Sequence, residues 1–175
     1  SLKSFGEKLL LVTDDLGKYL LTEALGMEYD EVRLEFNELE NLSSSYWAIP
    51  KLHVYKNMRE PFLHFDGDLV LYPGFKDLDL EKRDLVFEFK NESFSDHHLK
   101  SIGHLDKLVF DETFCSDLIS GESGPGELNC GVIGGRDYKF FNEFASWSLD
   151  LFNKNLGILD TEFLKHNKNF INSYF

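Results

Sequence analysis

Lys8–Thr13 (KLLLVT) is a short apolar run ending at Asp14-Asp15, the pattern of a strand buried on both faces. From Leu16 to Leu25 the apolar residues fall at 16, 19, 20, 24 and 25. That spacing predicts a helix, and Gly26 is its natural stop. Val32, Leu34 and Phe36 then alternate with charged positions, which predicts a second, half-exposed strand. Serines 43–45 are cap candidates for a helix carrying Tyr46, Trp47, Ile49, Leu52, His53 and Tyr55 and ending before Pro61. Pro50 is compatible with that helix only in its first turn or at a kink.

The segment Pro61–Tyr72 (PFLHFDGDLVLY) runs from an apolar strand through an acidic turn into a second strand-like run. Leu85, Phe87 and Phe89 predict another strand by alternation, and Leu99, Ile102, Leu105 and Leu108 predict a helix over His97–Phe110. Gly121–Gly126 (GESGPG) is a loop by composition, and Asn129–Gly135 (NCGVIGG) is a short strand bracketed by glycines. A long helix with an aromatic face is expected over Arg136–Asn155, and the stretch to Phe175 reads as helical and wet on one side. The strand–helix alternation of the first half points to an α/β fold with a mostly parallel sheet flanked by helices. Such sheets bind ligands beyond the carboxyl ends of their strands. Two acidic pairs, Asp14-Asp15 and Asp66-Gly67-Asp68, fall at predicted strand ends.

A length of 175 residues suits a single domain, 1–175, and 17 Phe, 7 Tyr and 2 Trp exclude a disordered chain. Thirty-one acidic against 18 basic residues leave a formal charge of −13. That charge opposes non-specific binding to nucleic acid or anionic lipid, so no nucleic-acid partner is expected. A phosphate-bearing ligand would need a local exception, most simply a metal ion. The longest plain apolar run, Leu9–Val12, is far shorter than the roughly 18 residues of a membrane-spanning helix. No signal-peptide pattern follows Ser1, and a cytoplasmic location is expected. Cys115 and Cys130 lack metal-site spacing and read as small core residues of a reducing compartment.

Asp66 and Asp68 carry the most specific chemistry. Two carboxylates at the mouth of a sheet repel one another, and a divalent cation held by both relieves the repulsion. Gly67 permits a tight backbone that aims both side chains at one point. The competing reading is a surface hairpin, because Asp-Gly is a favoured turn pair and both flanking runs are strand-like. His64 shares the face of Asp66 and Asp68 in a regular strand, either as a third ligand or as a hydrogen-bonded structural histidine. Asp14 and Asp15 are placed to meet a nucleobase or ribose, with Asp15 alternatively the N-cap of the following helix. His97, His98 and His104 read as a solvated face, and GESGPG precedes a strand and lacks the ending of a phosphate loop.

PFLHFDGDLVLY, preceded by YWAIPKLHVY and followed by ELNCGVIGGRDYKFF, resembles the GT-A type of nucleotide-sugar glycosyltransferase. The likeness covers about Lys8–Phe144. It implies a GT-A-like domain and a metal-dependent transfer of sugar from a nucleotide-sugar, most simply a UDP-sugar, to an unidentified acceptor. It implies that Asp66 and Asp68 hold Mn²⁺ or Mg²⁺ and the diphosphate, that Asn129 and Gly131 line the sugar pocket, and that Lys51 faces the nucleotide. Asp14 would be a further nucleotide contact. No catalytic base is identified. A first base-holding strand and a late basic residue of such enzymes have no clear equivalent, although Lys165 and His166 lie late in the chain. The resemblance therefore implies a chain short at one or both ends. The alternatives are a non-catalytic binding or scaffold relative and a metal-dependent phosphohydrolase using the same acidic turn.

Overall fold

β1 (Leu10–Thr13) and β2 (Glu31–Leu34) pair in parallel, with Leu10 opposite Glu31 and Thr13 opposite Leu34. Between them the chain turns directly into α1 (Asp15–Lys18), whose N-cap is Asp14. The Asp14 carboxylate accepts a hydrogen bond of 2.6 Å from the Gly17 amide. The N-cap is thus Asp14 and not Asp15, which instead exchanges hydrogen bonds with the Asn37 amide group. The helix continues over Tyr19–Ala24 with a wider turn, closed by Leu25 N–H on the Leu20 carbonyl at 3.0 Å. Gly26, at φ +64°, ends it as the sequence predicts. Glu31 is flanked by Lys8 and Arg33. The hydrogen bonds of Arg33 and then of Lys8 hold its carboxyl down at about 2.

The computed structural model describes residues 8–39, 42, 46–67, 69–70, 72–91, 108–109 and 127–159. The chain divides into two compact units, Ser1–Ser44 and Ser45–Phe175. Asp68, Cys115, serines 43–45, the histidines at 97, 98 and 104, the GESGPG loop and Lys165 and His166 lie outside the described residues. So do the final stretch from 160 and the helix expected over His97–Phe110, apart from Leu108 and Val109.

The second unit is built on α2 (Ile49–Asn57), β3 (Phe62–Phe65), β4 (Val86–Asn91), β5 (Glu127–Gly135) and α3 (Tyr138–Leu159). Pro50 falls in the first turn of α2, where its missing N–H costs no helix hydrogen bond. The described sheet has the order β3-β5-β4, and β5 runs antiparallel to both neighbours. The fold is therefore mixed α/β, with parallel pairing in β1–β2 and antiparallel pairing in the larger described sheet. The strand–helix alternation of the first half predicts parallel crossovers, and the described strands keep that pairing only in β1–β2.

The run after the acidic turn also departs from expectation. Leu69, Val70 and Tyr72 form no strand, and the chain passes into a 3₁₀ turn at Pro73–Leu78. β3 pairs with β5, so Asp66 and Gly67 do not sit in a β-hairpin. The Leu69 amide instead closes a tight turn on the Asp66 carbonyl at 3.1 Å.

An aromatic cluster joins the helices to the sheet. Phe141 of α3 is fully buried and meets Phe62 at 5.2 Å, Tyr55 at 6.4 Å and Phe87 at 6.5 Å between ring centroids. Tyr55 also stacks on Phe62 at 5.5 Å. Asn142 donates to the carbonyls of Tyr55 and Met58 at 2.6 and 3.1 Å, which satisfies the open end of α2 from the neighbouring helix. Buried Asn155 brackets Val109, accepting from its amide at 2.7 Å and donating to its carbonyl at 3.0 Å.

Gly134 of β5 sits opposite Leu63 of β3, against the β3 backbone. Its φ is +149°, and a Cβ there would stand 2.1 Å from the Phe62 carbonyl oxygen. The obstacle is backbone and cannot swing aside. Gly134→Ala is expected to destabilise the chain by about 3 kcal/mol, read as a fall in the urea midpoint; an unchanged midpoint would contradict the close approach of β3 and β5.

Candidate functional site

Trp47, Lys51 and Tyr55 are spaced four residues apart and lie on one side of the chain that enters and forms α2. Phe62, His64 and Asp66 are spaced two apart and share one face of β3 and its continuation. The aromatic cluster lays these two rows against each other. Tyr55 stacks on Phe62 and hydrogen-bonds His64 Nδ1 through its hydroxyl, and Lys51 reaches Asp66 one step further on. The Lys51 Nζ to Asp66 Oδ1 distance is 2.5 Å, and the two side chains are 25% and 28% exposed. The same ammonium lies 4.9 Å from the ring centroid of Trp47, whose indole is more than half exposed.

β5 completes the site. The Asp66 amide donates to the Gly131 carbonyl at 2.9 Å, one step beyond the Phe65–Val132 pair. On its other edge β5 slips against β4, since Phe87 faces Ile133 while Phe89 faces Asn129. Two steps on one strand thus span four on the other, and the bulge falls at Cys130–Val132. Asn129 Oδ1 accepts from the Gly131 amide at 2.9 Å and fixes this bend. Gly131 leaves room there for the Glu88 carboxylate, because a Cβ would stand 2.4 Å from Glu88 Oε2.

Four residues singled out from sequence are therefore linked in a chain of contacts: Lys51 pairs with Asp66, the Asp66 amide bonds Gly131, and Asn129 bonds the Gly131 amide. Asp14 belongs to the first unit, where its carboxylate caps α1. The sequence reading missed Trp47, Tyr55, Glu88 and Cys130 as site residues. The i, i+4, i+8 spacing of Trp47, Lys51 and Tyr55 was the available signal for two of them. Nothing in the sequence announced Glu88 or Cys130. Cys130, expected in the core, keeps exposed surface beside the site.

Burial sets the charge states of the inner groups. It is the main cause that lowers His64 to about 4, with Lys51 acting in the same direction and Asp66 against it. Burial likewise pushes the Tyr55 hydroxyl far up, helped by Cys130 and Asp66. The Cys130 thiol is raised by burial, opposed by Lys51 and assisted by Asp66. His64 is therefore neutral near pH 7 and Tyr55 stays protonated. With Tyr55 donating to Nδ1, the imidazole proton resides on Nε2, 3.8 Å from Asp66 Oδ1. This assignment follows from the bonding pattern.

A hard divalent cation is commonly held by one or two carboxylates, with diphosphate oxygens and water filling its shell. Asp66 offers one such carboxylate at a partly open strand end, and a positive group already rests against it. Among the described residues no group of three or more His, Cys, Asp or Glu could hold a metal by itself. The described donors thus form no protein cage for a metal, and the Asp66 carboxylate is already paired with Lys51. No helix among the described residues is long and apolar enough to cross a membrane.

DUF6734, a family of unknown function, matches residues 1–175, and the chain belongs to that family. No curated protein and no solved structure matches it detectably.

The depressed His64 gives the fold a pH dependence with a definite sign. The unfolded chain takes up a proton near pH 6.5 and the folded chain only near 4. The stability that rests on the neutral imidazole is complete above pH 6.5 and is lost as the pH falls toward 4. The loss is expected to reach at most about 3 kcal/mol in metal-free buffer. His64→Gln should remove that slope in urea titrations between pH 6.5 and 4 and leave the lower window of Glu31 in place.

Proposed function

We propose that this member of the DUF6734 family binds a nucleotide-sugar at the carboxyl end of β3 and transfers its sugar to an acceptor hydroxyl. The observation that carries the reading is the hydrogen bond from the Asp66 amide to the Gly131 carbonyl. It joins two segments 65 positions apart in the chain, the acidic turn and the Asn-x-Gly strand, and Lys51 pairs with Asp66 of the acidic turn. These are the segments on which the resemblance to GT-A enzymes rests. The juxtaposition supports that resemblance from geometry, independently of the family match.

In the proposed reaction the acceptor oxygen bonds to the anomeric carbon while the bond from that carbon to the diphosphate oxygen breaks. The nucleoside diphosphate leaves with the bonding electron pair, and the acceptor hydroxyl's proton passes to the departing diphosphate or to water. The protein's share is to place positive charge where negative charge grows, and to hold the sugar. Lys51 brings a cation to the strand mouth in a chain that is otherwise strongly acidic. The Asn129–Gly131 bend forms a stiff wall beside Asp66. Mn²⁺ or Mg²⁺ held by Asp66 and Asp68 would supply Lewis-acid stabilisation of the departing diphosphate.

Calorimetry with UDP, with and without Mn²⁺, tests the reading. Binding that needs the metal is expected, and Asp66→Asn should weaken it at least tenfold, about 1.4 kcal/mol, while the circular dichroism spectrum stays unchanged. Full affinity in Asp66→Asn would remove Asp66 from the site. No UDP or other nucleoside diphosphate binding by the folded chain would favour a scaffold, and phosphate release from phosphomonoesters would favour a phosphohydrolase.

A further inference from the structure

Trp47 leaves more than half of its surface to solvent, although its neighbours Tyr46, Ala48 and Ile49 are buried. Ile49, Leu52 and Tyr55 already anchor α2, so the helix does not depend on the indole for its place. Keeping so large an apolar plate in water is unfavourable. The polar groups beside it are also incompletely used. Lys51 Nζ stands 4.9 Å from the indole centroid and bonds Asp66 Oδ1. Asp66 Oδ2 and the indole N–H make no hydrogen bond among the described residues, and the Lys51 and Asp66 side chains are each about a quarter exposed.

This arrangement specifies a ligand chemistry. An ammonium donor and an open carboxylate oxygen stand side by side, and a hydroxyl serves both at once, donating to Asp66 Oδ2 and accepting from Lys51 Nζ. The indole adds a flat apolar surface, of which a single ammonium covers only part. A pyranose answers both demands, with C–H groups on a ring face and hydroxyls around its edge. In metal-free solution the formal charge of −13 favours such a neutral ring over an anionic aromatic one.

We infer that Trp47 and the Lys51–Asp66 pair bind a neutral pyranose, its ring face on the indole and one hydroxyl bridging Asp66 Oδ2 and Lys51 Nζ. The inference goes beyond the nucleotide reading and does not rest on it, since it requires neither metal nor diphosphate.

Methyl glycosides of glucose, galactose, mannose and N-acetylglucosamine are titrated into the full chain in buffer containing EDTA and followed by NMR. Cyclohexanol serves as a ring without neighbouring hydroxyls. The best of the four is expected to bind with a Kd on the order of 1 mM. Trp47→Ala should weaken it at least about tenfold with an unchanged circular dichroism spectrum, because the side chain is exposed. Trp47→Phe should keep most of the affinity, and Lys51→Met should lose a large part of it. If Lys51→Met fails to fold, cyclohexanol still separates hydroxyl recognition from simple apolar contact. No binding of any glycoside below about 20 mM, full affinity in Trp47→Ala, or cyclohexanol binding as tightly as the best sugar would each overturn the inference. Sugar binding without any UDP binding leaves the inference standing and removes the nucleotide reading; UDP binding without sugar binding does the reverse.

Discussion

The contact of Tyr55 with Phe62, locked from above by Phe141, fixes how α2 lies along β3, and the site depends on that alignment. A helix advances about 6 Å over four residues and a strand about 6.6 Å over two. Once one residue of the helix is matched to the strand, the next pair down the row is nearly matched as well. Tyr55 meets Phe62 and His64, and Lys51 consequently meets Asp66 without further adjustment. The polar pair inherits its geometry from an apolar one. Asn142 secures the same alignment by occupying the carbonyls at the end of α2, so that helix is held by its side and by its terminus.

Electrostatics follow from this placement. A chain with formal charge −13 repels phosphate at a distance, and a phosphate site can exist in it only where a cation is held locally against the general field. Lys51 is held in that way, by a carboxylate and an aromatic face. Its neighbours are kept neutral: burial holds His64 uncharged and Tyr55 protonated. The inner site therefore sets the Lys51–Asp66 ion pair beside a neutral imidazole and a protonated phenol.

Much of the first-order organisation was legible in the sequence. The strands at Leu10–Thr13 and Phe62–Phe65 follow from short apolar runs, Val86–Asn91 from alternation and the long helix after Arg136 from its aromatic face, and Pro50 marks the start of α2. Asp66 stands out by its acidic turn, and Lys51, Asn129 and Gly131 by the resemblance to GT-A enzymes. Strand direction was not legible, because side-chain alternation is identical in parallel and antiparallel ladders. Nor was the fate of Leu69, Val70 and Tyr72, whose strand-like composition yields to a tight turn on Asp66 and the 3₁₀ segment at Pro73–Leu78. Asp14 and Asp15 are adjacent and chemically alike, so only the local backbone could decide that Asp14 caps α1. Glu88 and Cys130 enter through a bulge, and an irregularity in pairing leaves no trace in a periodic pattern.

That bulge explains why the candidate site lies where it does. Within a regular ladder the backbone amides and carbonyls are spent on the neighbouring strands, and side chains alternate strictly between two faces. Asp66 stands one step past the last paired residue of β3, and Gly131 sits where β5 slips against β4. Asn129 turns its side-chain oxygen back onto the Gly131 amide to hold the slip in place. The register of β3 with β5 is meanwhile pinned at Gly134, where no side chain would fit. The sheet is thus rigid at one end of the β3–β5 pair and irregular at the other. The polar groups have collected at the irregular end, where the ladder no longer dictates which way they face.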